Sequence, residues 1–366
     1  MTSKGTVLAL VLAAMASCVC SVSLVMTVTM ASMVLSWGHP LGSVAVAPSG
    51  GGSSGVAKLQ SVGARIGADS TAVAPSSSST AGSSKGTFAT KFSAPYLLVK
   101  DFGVDLANGP CKFYTLAFLT SGPGGKPAWD GQETLVQPKL AAGIKALRAK
   151  GGDVIVSCGG AGGQELGFAI KDAKQLQSAY QSIVNAYGLK RLDLDIEGGQ
   201  LEPVTVNTRN IAVAALQKAN PGLVISYTLS CDVSGLNSLS KDLLANAKKN
   251  GVKVGCVNCM LMEMPQNSAT NVIAGAKNAY AQCQALGTGS KIGICPMIGV
   301  NDSGEPHTLA DAAKVAAFAK STPWVQMLTF WSLGRDNGAC AGKKQADGTC
   351  SGIAQSKYAF AKALSL

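Results

Sequence analysis

The chain has 366 residues, 47% of them apolar, and a formal net charge of +11. That is enough apolar material for a sizeable core, in one large domain or two small ones. Its basic residues are scattered singly or in pairs, which argues against nucleic acid as a partner; an anionic wall or membrane surface stays open.

From Gly5 to Trp37 there is no charged residue. A secretory core usually spans roughly 7–15 residues, and this run is long enough to cross a bilayer. Residues 1–37 therefore have two readings. One is a signal peptide cut near Ala14-Met15-Ala16. The other is an uncleaved anchor, a membrane tether through residues 6–36 with Lys4 inside and Trp37 at the far interface. Either one places the remainder outside the cytosol, secreted or membrane-anchored. Residues 38–90, with "PSGGGSSGVA" and "APSSSSTAGSSKG", read as a disordered Gly/Ser/Ala-rich linker that cannot bury enough surface to order itself. The linker lacks the aromatic platforms of a carbohydrate-binding module.

The texture changes at about residue 91. Predicted strands are Tyr96–Lys100, Phe113–Leu119, Val154–Cys158, Leu192–Ile196, Leu223–Leu229, Val254–Met262, Ile292–Met297 and Met327–Trp331. Amphipathic stretches lie between them, such as "PKLAAGIKALRAK", "DAKQLQSAYQSIVNAY", "TRNIAVAALQKAN" and "DAAKVAAFAK". This alternation over residues 91–366 predicts an α/β fold, a (β/α)8 barrel. A doubly wound sheet is the runner-up, but Gly159–Gly163 does not show its phosphate-binding spacing.

The fourth strand carries the chemistry. In "RLDLDIEGG", Asp193, Asp195 and Glu197 alternate with Leu192, Leu194 and Ile196. Residues i, i+2 and i+4 share a strand face. Carboxylates roughly 7 Å apart at an effective dielectric near 20 repel by about 2 kcal/mol per pair. The expected result is a graded column, with the deeper acids protonated or sharing protons. Glu197, nearest the C-terminal mouth where barrel sites lie, has a raised pKa suited to proton donation. A calcium loop is rejected: its twelfth position counted from Asp193 would be Val204. A carboxylate-only metal site has no supporting His or Cys nearby, since the chain holds only His39 and His307. No metal and no cofactor is expected. Acids satisfied purely for structure would explain one such residue better than three.

"LDLDIEGG" resembles the D-x-D-x-E signature of family-18 glycoside hydrolases, the chitinase family. "VIVSCGG", "KFYTLAFLT", "VNCMLMEM", "CPMIGVND" and "MLTFWSLGRD" resemble further strands of that family, in order, over about residues 92–366. The likeness is to the compact bacterial type. It implies retaining, substrate-assisted cleavage of β-1,4-linked N-acetylglucosamine polymers, chitin or chito-oligosaccharides. Glu197 is then the proton donor, Asp195 the residue that orients the substrate's acetamido group, and Asp193 its proton-sharing partner. The implied substrate-binding residues are Trp331, Met262, Glu263, Ser157 and Phe118.

The sequence departs from the family on the sixth strand. Glu263 stands where Asp is usual, and Met264 where a tyrosine commonly meets the acetamido group, which implies a slow enzyme. The short run from Met297 to the helix near Thr308 leaves no room for an inserted domain and predicts a shallow cleft. Cys340 and Cys350, bracketing a Gly-rich loop, are the disulfide candidates. Cys256 and Cys259 fall on opposite strand faces, and Cys158, Cys283 and Cys295 read as free and buried. A monomer is expected. Two other functions stay open: a catalytically weak, lectin-like chitin binder on the same fold, and an endo-β-N-acetylglucosaminidase acting on glycoprotein glycans.

Overall fold

The computed structural model describes residues 87–101 and 105–366. The segment expected over 1–37 and the linker, up to residue 86, lie outside the described residues, as does His39. No helix among the described residues is long and apolar enough to cross a membrane.

Eight parallel strands form the centre: β1 (Tyr96–Leu98), β2 (Phe113–Ser121), β3 (Asp153–Gly159), β4 (Arg191–Asp195), β5 (Val224–Asp232), β6 (Val254–Leu261), β7 (Lys291–Cys295) and β8 (Val325–Leu328). Each pairs with the next. The ring closes because the first strand comes in two pieces. Phe92–Ser93 pairs with β8, and β1 pairs with β2. The backbone between them stays in register, with Ala94 N donating to Leu328 O and Tyr96 N to Phe330 O. This is the (β/α)8 barrel.

Six long helices wrap it: α1 (Pro138–Ala149), α2 (Ala173–Tyr187), α3 (Pro203–Ala219), α4 (Ser238–Lys249), α5 (Ala269–Leu286) and α6 (Leu309–Ser321). Their ends follow capping chemistry. Asp172 accepts from Gln175 N, Thr308 and Asp311 cap each other, and Pro138 and Pro203 open their helices. Between β1 and β2 the described residues hold only a 3-10 turn, Val99–Asp101, so the first crossover departs from the ideal repeat.

Alternation sorts the barrel interior into layers. Phe92, Phe113, Ile155, Cys256 and Met327 fill the bottom as an apolar cluster. Phe88, assigned by composition to the linker, stacks on Phe113 at 4.8 Å, and the Arg191 guanidinium lies over Phe88 and Phe92. The ordered domain therefore starts a few residues before 91. The middle layer is polar, with Thr115, Ser157, Asp193, Ser226, Asn258 and Thr329 all buried. Gly293 makes room there, since a Cβ would sit 2.6 Å from Asn258 Oδ1. Tyr96, Ala117 and Cys295, with Phe118, Met262 and Trp331 against them, form the upper cluster.

Cys340 and Cys350 are joined by a disulfide, with Cα atoms 5.9 Å apart. Cys158, Cys283 and Cys295 are free and buried. Cys256 faces the barrel floor while Cys259 belongs to the outer core, on opposite faces of β6.

One ion pair sits fully inside the outer layer. Arg209 on α3 reaches Glu165 at 2.6 Å, and both side chains are inaccessible to solvent. Burial alone would raise the Glu165 carboxyl. The Arg209 guanidinium outweighs it, with hydrogen bonds from Arg209, Gly167 and Tyr180, and holds the carboxyl below its ordinary range. Removing one partner of such a pair strands the other, at a cost of about 3–5 kcal/mol. We expect Arg209→Met to lose stability of that order at pH 7 in urea unfolding. A depressed carboxyl stabilises the fold above its unfolded pKa and loses that contribution as pH falls. The gap between wild type and variant should therefore narrow below roughly pH 4, where Glu165 takes up a proton.

Candidate active site

The three acids of the fourth strand do not share one environment. Asp193 is the lowest and is almost wholly buried. Its Oδ1 accepts from Ser226 Oγ at 2.6 Å and Thr228 Oγ1 at 2.9 Å; its Oδ2 accepts from Ser157 Oγ at 2.8 Å and Tyr96 Oη at 3.1 Å. Burial raises the Asp193 carboxyl, and the hydroxyls offset part of the rise. Both oxygens are thus occupied by hydroxyl donors, where the sequence had suggested a proton shared with Asp195. Ser157, expected to meet the substrate, is fully buried, donates to Asp193 and is not among the residues lining the pocket into which the acids open.

Asp195 is also buried, but its Oδ1 has no hydrogen-bond partner. Burial, then the charges of Glu197 and Asp193, push its carboxyl well up. Glu197 lies just past the end of β4. Burial raises it too. Burial and like charge thus both favour the protonated form at this site.

Position is set by the backbone around them. Gly160 N donates to Asp195 O at 2.9 Å. Gly159 has φ +113°, and a Cβ there would lie 2.0 Å from Asp195 O; one at Gly160 would meet the Phe118 ring at 2.7 Å. The two glycines thus let β3 pass close to Asp195 while Phe118 keeps its place. After Glu197 the chain turns at Gly198, φ +51°. Gln200 ties that turn down: its Oε1 accepts from Glu197 N at 3.3 Å, and its Nε2 donates to Gly160 O at 3.1 Å. Arg209 Nη2 donates to Gln200 O at 3.1 Å, so the buried ion pair braces the same turn.

The acids open into a pocket of about 170 Å³. Its lining includes Tyr96, Phe118, Asp195, Glu197, Thr228, Met260, Met262, Glu263, Asp302 and Trp331. Phe118 and Trp331 stack at 5.7 Å and 18°, with Tyr96 edge-on to Trp331 at 6.0 Å. A second depression, of about 360 Å³, shares Ala161 and Glu197 with the first. The two form a trough that crosses Glu197. Opposite lies Glu263, with φ +56°, its N–H held by Asn301 Oδ1 at 3.1 Å. Partial burial, the charge of Asp302 and a hydrogen bond with it, and the charge of Glu197 push the Glu263 carboxyl up to about 7. No His, Cys, Asp or Glu cluster among the described residues is arranged to hold a metal ion.

Of the predicted ligand-facing residues, Trp331, Met262, Glu263 and Phe118 line the pocket. Met264 does not have the place expected for it. Its side chain is buried in the outer core. The strand stops at Leu261 and the left-handed Glu263 breaks the alternation, so Met264 turns inward. Tyr96, Ser226, Thr228, Asn258 and Asp302 were not foreseen. The period-two pattern Ser226-x-Thr228 in "VISYTLS" is the same signal as Asp193-x-Asp195 and could have found two of them.

The close approach at Gly159 has a direct test. Gly159→Ala should displace Asp195, and a shift of about 1 Å at a reacting group can cost ~100-fold. We expect a folded protein, by near-ultraviolet circular dichroism, with turnover reduced at least that far.

The barrel and its acids were compared with known proteins. No protein-family model matches the chain. It is 29% identical over 275 residues to a probable bifunctional chitinase/lysozyme of Escherichia coli and to endochitinase 11 of Metarhizium anisopliae, covering 66% of this chain in each case. Those alignments span 30% and 52% of the two relatives, so the chain matches about a third to a half of their length. A crystal structure of the catalytic domain of a hyperthermophilic chitinase from Pyrococcus furiosus superposes with TM-score 0.70 at 28% identity, covering 77% of this chain and 96% of that one. Catalytic-site mutants of a thermostable chitinase domain from the same organism, complexed with chito-oligosaccharides, superpose with TM-score 0.69. With an alternating acidic column at the mouth of a closed parallel barrel, the chain is similar in sequence and fold to these chitinase catalytic domains.

Proposed function

We propose that the barrel hydrolyses β-1,4-linked N-acetylglucosamine chains, with retention, using the substrate's own acetamido group as nucleophile. The observation that carries this is the contrast between Asp195 and Glu197. One is buried with an unpartnered oxygen; the other lines both depressions and has a raised carboxyl. The related Pyrococcus furiosus domain, crystallised with chito-oligosaccharides, supports that substrate class.

The reaction proceeds from these placements. A sugar ring settles on Trp331, with Phe118 and Tyr96 around it. Glu197 donates its proton to the glycosidic oxygen as the bond to the anomeric carbon breaks. The acetamido oxygen attacks that carbon, giving an oxazolinium ion, while Asp195 Oδ1 accepts the acetamido N–H and balances the positive charge. The leaving chain departs with the donated proton. Glu197, now a carboxylate, takes a proton from water, which opens the oxazolinium and restores the acid. Two protein carboxylates on either side of the bond, usual in retaining enzymes, are not needed for this route. Asp193 stays fixed by its hydroxyls and contributes charge from below.

A lectin-like role would leave the raised carboxyl of Glu197 without a task. The trough across Glu197 suits an extended polymer, and no observation favours a branched glycoprotein glycan. The pocket volume is small against the roughly 300–1,000 Å³ of sites that enclose a whole ligand. Only a small part of the polymer is enclosed, and the rest lies in the open trough.

Substitution and pH each test the acid. Glu197→Gln should remove most cleavage of a chitotetraose-type substrate, by about 10²–10⁴-fold, with affinity nearly unchanged. The acid must hold its proton to act, and burial raises its pKa. Activity should persist above the ordinary carboxyl range near pH 4.3 and fall as pH rises through the raised value. A kcat/KM profile whose alkaline limb lies at or below pH 4.3 would contradict the assignment.

The site of action is part of the same proposal. Residues 6–36 carry an uncharged apolar run, which supports export or membrane attachment with the barrel outside the cytosol, and a disulfide suits that compartment. A reporter fused after residue 90 should be found outside the cytosol, by protease accessibility of whole cells. A protected reporter would reject export.

A further inference from the structure

The pocket is opposite in charge to the chain. The protein carries 31 Lys and Arg against 20 Asp and Glu, yet the pocket lining holds four carboxyls, Asp195, Glu197, Glu263 and Asp302, and no basic residue. Neutral acetylated sugars give such a surplus no partner. Asp195 and Glu197 are consumed by the proposed chemistry; Glu263 and Asp302 are not.

The second pair is also constructed. Glu263 adopts a left-handed backbone, φ +56°, that is unfavourable for a non-glycine residue. The buried Asn301 side chain holds it there, accepting from Glu263 N and donating to Met297 O and Gly299 O. Asn301 precedes Asp302, so one anchor sets both acids. Both line the pocket with Glu197, close enough for the charges of Asp302 and Glu197 to act on the Glu263 carboxyl. The buried Asp195, whose Oδ1 has no hydrogen-bond partner, lines the same pocket.

We propose that Glu263 and Asp302 form a subsite for a protonated amine, so that the pocket selects partly N-deacetylated chito-oligosaccharides over fully acetylated ones. This rests on the glycosidase reading. The ring under attack must keep its acetamido group, because that group is the nucleophile. The free amine therefore belongs to a neighbouring ring, which passes the rim. An ammonium group between the two carboxyls relieves their mutual repulsion.

The test compares an N-acetylglucosamine tetramer with tetramers of the same length bearing one glucosamine at a defined position, at pH 5.5 and low salt. An exposed ion pair is worth up to about 1 kcal/mol, or roughly fivefold. We expect wild-type kcat/KM to favour one of the amine-bearing tetramers by about that factor, with cleavage at a bond beside the amine ring. The ratio should fall to about one in Asp302→Asn, in the Glu263→Gln/Asp302→Asn double variant, and for wild type in 0.5 M NaCl. A wild-type ratio of one or less, or a ratio indifferent to both substitution and salt, overturns the proposal. The same ratio is measured as binding by calorimetry on Glu197→Gln protein. If no tetramer is cleaved, the glycosidase reading fails, while the binding ratio still decides the amine subsite.

Discussion

Everything at the barrel mouth depends on one buried carboxylate being made tolerable. Asp193 lies where water does not reach, and a lone buried charge there would be prohibitive. Four hydroxyls from β1, β3 and β5 surround it instead. Their effect reaches beyond one residue. The Tyr96 and Thr228 oxygens lie 2.9 Å apart against the same carboxylate, and Asn258 donates to Thr228 and accepts from Thr329 across the barrel. The polar layer is a continuous belt that fixes strand positions from within. The next acid up, Asp195, is buried without such donors, and burial first, then the charges of Glu197 and Asp193, raise its carboxyl well above the ordinary range.

Two supports of different kinds then fix Glu197. From β3, paired glycines admit backbone at a distance no side chain would allow. From α3, a buried guanidinium reaches the turn beyond the acid. The first is steric and the second electrostatic, and they act on opposite sides of the same short segment. Precision in a general acid comes from its neighbours' rigidity more than from its own contacts.

The fold was legible because β-branched and apolar runs recur between amphipathic segments, and all eight expected strands occupy their expected places within a few residues. The acids were legible through their period of two. The resemblance misled at Met264, matching it to a ligand-facing tyrosine of the family; the strand ends at Leu261, and one left-handed residue, Glu263, redirects the chain after it. Tyr96, Asn258 and Asp302 come from other strands and loops. Their convergence is a property of barrel closure, which no local pattern records. Phe88 was hidden for a different reason: a single ring in a Gly/Ser-rich stretch carries almost no compositional weight, yet it completes the apolar floor.

That floor has a consequence for the molecule's polarity. Phe88 and Arg191 cover the N-terminal ends of the strands, while the acids stand at the C-terminal ends. Chain and ligand thus enter the barrel at opposite poles, with the polar belt between them. Residues lining the pocket can therefore vary without reopening the apolar seal beneath.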